Sequence, residues 1–523
     1  MTDTATTSSL STLETKQRLS QSLLWQLQRD FFQSEGIGAW NTGKVPHYAT
    51  SNPYIARAYG KVATGFLRDY RAEIDTSQPL YVIELGSGSG RFSYHFLKQF
   101  FESHSSSVLK EIPIKYIMMD FAEKNIEFWQ NHPALRPFIA ENLLDFACFD
   151  ITNDKAIALL HSGELLNAQT LKNPLVVLAN YFFDSIPQDL FTIHHGQIYE
   201  TLLTITASNN SGDRQLLENL KITYTDVEID SDRYYDDPAF NQVLKDYQTR
   251  LQSTALLFPC TALNGLKNLR QLSGDRLLFL SGDKGYDREE RLEGRGNPKL
   301  TFHHGAFSLM ANYPAIARYV ENEGGLPLLP QHRHRSIAIC AFLFGNRNCL
   351  ETRHAYQTNI AQSSPDDFFT LKKALEVHFQ TLSLEQILAY LRFSGWDYKL
   401  FLGCFDNLMM QVENISVSLR DELHRAIANI WEMYYFIGEE QDLPFHLSML
   451  SYKMGFYEEA IAYLDRSLAF YGDDPGIFYN QAKCYRKLQF RAKALKALDK
   501  ALELYPQFEE ARQLKVEIEG EFQ

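Results

Sequence analysis

Residues 81–92 read YVIELGSGSGRF: an apolar run, a carboxylate at Glu84, and glycines at Gly86, Gly88 and Gly90. A turn without Cβ atoms lets a ligand lie against the main chain. Such turns accommodate a dinucleotide pyrophosphate, a nucleotide phosphate or S-adenosylmethionine. The dinucleotide fingerprint needs a third glycine three positions after the second, and Arg91 stands there. The phosphate-cradling loop must end in Gly-Lys-Ser/Thr; Gly90, Arg91 and Phe92 do not match it. Glu84, read as lying in the turn, would repel a pyrophosphate. It suits S-adenosylmethionine, which presents a sulfonium and an ammonium group, and this is the expected cofactor.

Two further acids follow at strand ends. IKYIMMD closes on Asp120, placed to accept from both ribose hydroxyls, and LDFACFD closes on Asp150, a candidate acceptor for the adenine amino group. The fourth strand runs into LANYFFDSIPQDLF. Here Asn180 is expected to offer its side-chain amide to acceptor or cofactor. Asp184, one helical turn on, is expected to orient the methyl acceptor and take its proton. Methyl transfer is an in-line displacement, so such residues act mainly by positioning. His303, His304, His332 and His334 lack Cys or Glu partners at helical spacing, and no metal site is expected from them.

The stretch LANYFFDSIPQDLF resembles the Asn-Glu-Phe-Phe-Asp-Ala-Leu-Pro signature of the MidA family of S-adenosylmethionine-dependent methyltransferases. Tyr181 stands where that family has glutamate. HYATSNPYIARAYG (47–60) is similar to the family's Thr-Ser-Pro segment, and HHGAFSLMANYPAIARYVENEGG (303–325), more loosely, to its downstream motif. The resemblance spans about residues 20–350. It implies a class I methyltransferase and, because relatives include complex I assembly factors described as protein arginine methyltransferases, a protein side chain as acceptor.

The elements that must position these residues follow a pattern. Apolar strands at LYVIEL, IKYIMMD, LDFACFD, PLVVLAN, DRLLFLSGD and SIAICAFLFG alternate with helical stretches, which predicts an α/β, mostly parallel sheet covered on both faces. Helices are expected over 12–35, 54–71, from the glycines to 102, over 122–130, and again before PLVVLAN. DKGYDREERLEGRGNPK (283–299) reads as a charged loop, with a cover over the site as one use of it. HYATSNP is either a closing segment or a structural turn.

From about residue 364 strand signals vanish. The expected organisation is a disordered terminus over 1–20, a methyltransferase-like domain over 21–355, and an all-helical domain over 365–523. In the last, Ala460 matches Ala494, Ser467 matches Ala501 and Ser448 matches Ala482, each 34 residues apart. That period, over about 444–475 and 478–510, looks like tetratricopeptide repeats, whose surfaces bind proteins. A protein partner recruited there is the expectation, with a non-catalytic scaffold or assembly factor and a small-molecule methyltransferase as the alternatives.

The chain of 523 residues, 45% apolar and 22% charged, is expected to fold as at least two domains. Its formal charge of −13 argues against nucleic acid as a partner. No apolar run approaches the roughly 20 residues of a membrane helix, and the polar N-terminus is not a secretory signal. Six cysteines without paired spacing read as reduced thiols in the cytosol.

Overall fold

The computed structural model describes residues 10–208, 220–346 and 348–521. It divides into two units, Met1–Thr370 and Leu371–Gln523. The principal elements of the first are β1 (Leu10–Gln17), α1 (Leu23–Glu35), the short α2 (Gly38–Asn41) and α3 (Tyr48–Ser51), α4 (Pro53–Tyr70), β2 (Leu80–Leu85) and α5 (Arg91–Ser105). Then come β3 (Ile114–Asp120), α6 (Glu123–Asn131), β4 (Leu144–Cys148), β5 (Leu175–Asn180), β6 (Asp189–His194), β7 (Gln197–Ser208) and β8 (Leu220–Glu228). β9 (Ser253–Phe258), β10 (Leu277–Asp283), β11 (Leu326–Leu328) and β12 (Ala338–Phe344) complete the strands used below.

Seven strands form the main sheet in the order β11-β12-β10-β5-β2-β3-β4. β4, β3, β2, β5 and β10 run parallel; β12 alone is reversed, and β11, antiparallel to β12, runs in the direction of the other five. β2 is buried along its whole length, as its apolar residues require of a strand covered on both faces. Ile83, Leu85, Ile117, Met119, Val177, Ala179, Phe279 and Phe342 belong to one contiguous core. Strand order reverses where β2 meets β5, the place where open α/β sheets leave a crevice beyond the strand ends.

An antiparallel second sheet, which the sequence reading did not foresee, joins β1, β7, β6 and β9, with β8 on β7. It corrects the N-terminus: Leu10–Gln17 is not a frayed tail but a strand paired with β7. Its polar, Thr-bearing sequence carries no apolar signature because most of its residues stay accessible. The expected helix over 12–35 accordingly begins only at Leu23, capped by Ser22. Residues 1–9 lie outside the described residues. The helix expected before β5 is absent between β4 and β5; residues 149–174 hold turns and a two-residue ladder of 157–158 with 165–166. α4 begins as Asn52 accepts a hydrogen bond from the Ile55 N–H at 3.1 Å, with Pro53 in the first turn. Such a cap is worth about 1 kcal/mol.

The second unit is helical, including 443–453, 457–471, 475–487, 491–504 and 509–520. Ser448, Ala460, Ser467, Ala482, Ala494 and Ala501 are all buried. Small side chains at these places let successive helices pack closely. Among the described residues no helix is long and apolar enough to cross a membrane.

Candidate active site at the sheet switch point

A cavity of about 350 Å³ opens beyond the strand ends at the switch point. Five of the parallel strands deliver residues at their C-terminal ends to the wall: Glu84, Gly86 and Gly88 from β2 and its turn, Asp120 and Phe121 from β3, Phe149 to Asn153 after β4, Asn180 to Phe182 and Asp184 to Pro187 after β5, and Lys284 after β10. Of the eight residues singled out by sequence, Glu84, Gly86, Gly88, Asp120, Asp150, Asn180 and Asp184 meet there; Gly90 does not line the cavity. Gly90 instead precedes α5 in the left-handed conformation.

Glu84 lies within β2, not in the turn, and is 3% exposed. The hydroxyls of Ser93 and Tyr116 both donate to its Oε2, the latter at 2.7 Å. Burial outweighs these donors and pushes its carboxyl up to about 7. Gly86 and Gly88 have φ of 62° and 51°, the region L-residues avoid. A Cβ on Gly88 would stand 2.9 Å from the Trp40 ring, and one on Gly86 3.0 Å from Phe182. Protein side chains, and not only a ligand, therefore exclude larger residues here.

Asp120 is more committed than its position suggested. Its Oδ2 accepts from the Gly88 N–H at 3.2 Å and from Asn125 Nδ2 at 3.1 Å, and its Oδ1 from the Ala122 N–H at 3.0 Å. Three of about four acceptor directions are filled, so the carboxylate first of all ties β3 to the glycine turn. Burial raises its pKa. Asp150 lies two residues beyond β4. It accepts from the Thr152 N–H and Asn153 Nδ2, both at 2.9 Å, and pairs with Arg29 at 2.7 Å. Burial alone would raise its pKa, but those donors and the guanidinium hold it below the ordinary value.

Asn180 ends β5. Tyr59 donates to its Oδ1 at 2.8 Å, which fixes the amide, while Nδ2 is buried without a hydrogen-bond partner. Asp184 lies in a turn, not on a helix. It is 3% exposed, accepts from Ser185 Oγ at 2.7 Å, and burial pushes its carboxyl up to about 6. Among the described residues no three His, Cys, Asp or Glu side chains converge as metal ligands. His334 bonds to Asp287 and His303 to Ser308.

Several wall residues escaped the sequence reading. α1 supplies Trp25, Gln28, Arg29 and Phe32, and Trp40 follows them. The Arg29 guanidinium lies 4.4 Å over the Phe121 ring. Nothing near Arg29 in the sequence announces this, because its partners are some ninety and more residues away. The charged loop 283–299 is not the cover: past Lys284 none of it lines the cavity, and Glu289 is held by Arg250 and Arg318. HYATSNP does both expected jobs, capping α4 and contributing His47, Thr50 and Ser51 to the wall.

The donor set suits an adenosyl sulfonium. Glu84 offers a buried carboxyl that suits an ammonium, the turn carries glycines at Gly86 and Gly88, and Phe121, Phe149 and Ile151 add apolar surface to the same cavity as Asp150. Residues 62–272 match the model of a family described as "Putative S-adenosyl-L-methionine-dependent methyltransferase". Strand order and cavity agree with this match, and the fold is that of a class I, S-adenosylmethionine-dependent methyltransferase. The chain is similar to the crystal structure of an uncharacterised protein from Burkholderia thailandensis, with 11% identity, a TM-score of 0.39, and coverage of 63% of this chain and 89% of that one. A second structure, a member of the same superfamily from that organism bound to S-adenosyl-homocysteine, gives 12% identity, a TM-score of 0.33, and coverage of 54% and 63%. No curated protein matches.

Proposed function

We propose that this enzyme methylates a side-chain nitrogen, arginine-like, of a protein in the cytosol, and that the helical repeats of 371–523 recruit that protein. The carrying observation is that Asn180 and Asp184 share one cavity wall with Glu84, Gly86, Gly88, Asp120 and Asp150. In this reading Glu84 faces the ammonium, the turn through Gly86, Gly88 and Gly90 follows the cofactor's length, Asp120 meets the ribose, and Asp150 meets the adenine amino group. When bound, the cofactor supplies a methyl group on a sulfonium. Asn180 Nδ2, buried and unpartnered, orients the acceptor, and Asp184 takes the proton that the nitrogen must lose. The MidA-like stretch from Leu178 to Phe191 supports a protein acceptor, as do the close-packed helical pairs, read as tetratricopeptide repeats. Six free thiols suit a reducing compartment.

Transfer of a labelled methyl group from S-adenosylmethionine to proteins of a cell extract tests this. The wild type should label a discrete protein, and Asp184→Asn should label it roughly 100-fold or more slowly while still binding cofactor. Equal rates would remove Asp184 from the chemistry. Label confined to small molecules would remove the protein acceptor.

A further inference from the structure

Behind Asp184 stands a second carboxyl that lines no part of the cavity. Asp283 closes β10 and is wholly buried. The main chain brings the two together: the Phe183 N–H donates to Asp283 Oδ2 at 3.1 Å, and the Tyr181 N–H to the Gly282 carbonyl at 3.0 Å. Asp184 directly follows Phe183, so the two buried carboxyls lie close enough to act on each other's charge. Ser281 Oγ also donates to Asp283 Oδ2, at 3.3 Å, yet Asp283 Oδ1 is buried and meets no donor. An orphaned carboxylate oxygen is costly, and two carboxylates this close cannot both ionise in a buried site. One shared proton resolves both problems.

We propose that Asp283 is a positioning residue for methyl transfer, holding a proton that it donates to Asp184 and thereby keeping Asp184 an ionised, modestly basic proton acceptor on the cavity wall. This rests on the reading of Asp184 given above. The proton stays on Asp283 because Asp283 is the more deeply buried, while Lys284 and the Ser185 hydroxyl favour charge on Asp184. The other titratable groups facing the pair are Tyr59 on α4, Tyr181 after β5, Tyr313 on the helix 313–322, and Cys340 on β12. Burial raises all four, so they stay neutral at physiological pH, and Lys284 is the cation beside the dyad. During transfer the acceptor N–H bond breaks and the Asp184 O–H bond forms. The nitrogen electron pair makes the new bond to the methyl carbon as the C–S pair returns to sulfur.

The sign of the pH dependence follows. Asp184 must be ionised to accept, so the rate rises with pH through about 6 and levels above it. Asp283→Asn keeps a neutral donor beside Asp184, so its acid limb should stay near 6. Asp283→Val removes the donor, which raises the Asp184 pKa, and its acid limb should move up by about one unit. Affinity for S-adenosylhomocysteine should stay within about twofold, since Asp283 lines no wall of the cavity.

A second readout needs neither acceptor nor turnover. Infrared spectra of the enzyme alone, carrying ¹³C-labelled aspartate, should show a protonated aspartic carboxyl at pH 8.5 in the wild type. Asp283→Asn should lack that band. The wild-type band alone keeps the test decisive if the variant fails to fold. Its absence at pH 8.5, or an acid limb that stays near 6 in Asp283→Val, would overturn the proposal. Absence of labelling by the wild type, with the band present, would instead count against Asp184 as the catalytic acceptor.

Discussion

At the scale of single residues, Glu84 shows how burial sets a binding site's charge. Its carboxyl is held at about 7 by desolvation, against the pull of the Ser93 and Tyr116 hydroxyls. Near pH 7 about half the molecules therefore carry it neutral. A ligand ammonium placed beside it favours the ionised form, so binding must expel the proton. Affinity for S-adenosylhomocysteine should climb up to about tenfold between pH 6 and 8 and then flatten, with about half a proton released per ligand at pH 7. Calorimetry in buffers of different ionisation enthalpy measures that release directly. Glu84→Gln should bind more weakly and release none. A wild type that also released none would separate Glu84 from the ammonium.

At the scale of elements, the parallel strands were legible and their cover was not. LYVIEL and PLVVLAN announce themselves because a strand buried on both faces must be apolar throughout. β1 is hidden because an accessible strand keeps a polar sequence. The acids at strand ends follow from one rule of open sheets, and the same rule reaches Asp283 at the end of FLSGD; what no spacing tells is that its side chain turns away from the cavity toward Asp184. α1 is the part that sequence could not place. Arg29 lies on Phe121 and pairs with Asp150, so in the function proposed above a planar N–H donor already occupies the adenine's place. On that reading cofactor binding displaces it. Each of the two contacts is worth roughly 0.5–1 kcal/mol at a partly exposed site. Arg29→Ala should therefore tighten S-adenosylhomocysteine binding, by at most about thirtyfold, and speed its association. Stopped-flow fluorescence, with Trp25 and Trp40 in the cavity wall, reads both. Weaker binding would mean that Arg29 holds the cofactor and does not compete with it.

At the scale of the whole molecule, the division of labour between the two units is open to a direct test. All residues lining the cavity lie within 1–370, as do both sheets, and the core around β2 closes within that unit. The second unit keeps cores of its own, one of them built from Ala482, Ala494, Leu498, Ala501, Ala511, Leu514 and Ile518. The helices starting at Tyr457 and Arg491 repeat the sequence period, since 491 − 457 = 34. A chain ending at Glu376, the last residue of the helix 365–376, should then bind S-adenosylhomocysteine within about twofold of the full protein, because independent sites add. Its transfer of label to the target in a cell extract should fall roughly 100-fold, the loss expected when docking no longer raises the local concentration of the acceptor. Residues 371–523 supplied separately in excess should lower labelling by the intact enzyme as they occupy the target. If the shortened chain labelled the same protein at full rate, the helices would serve something other than recruitment, and the choice of acceptor would lie in the cavity around Asn180, Tyr181 and Lys284.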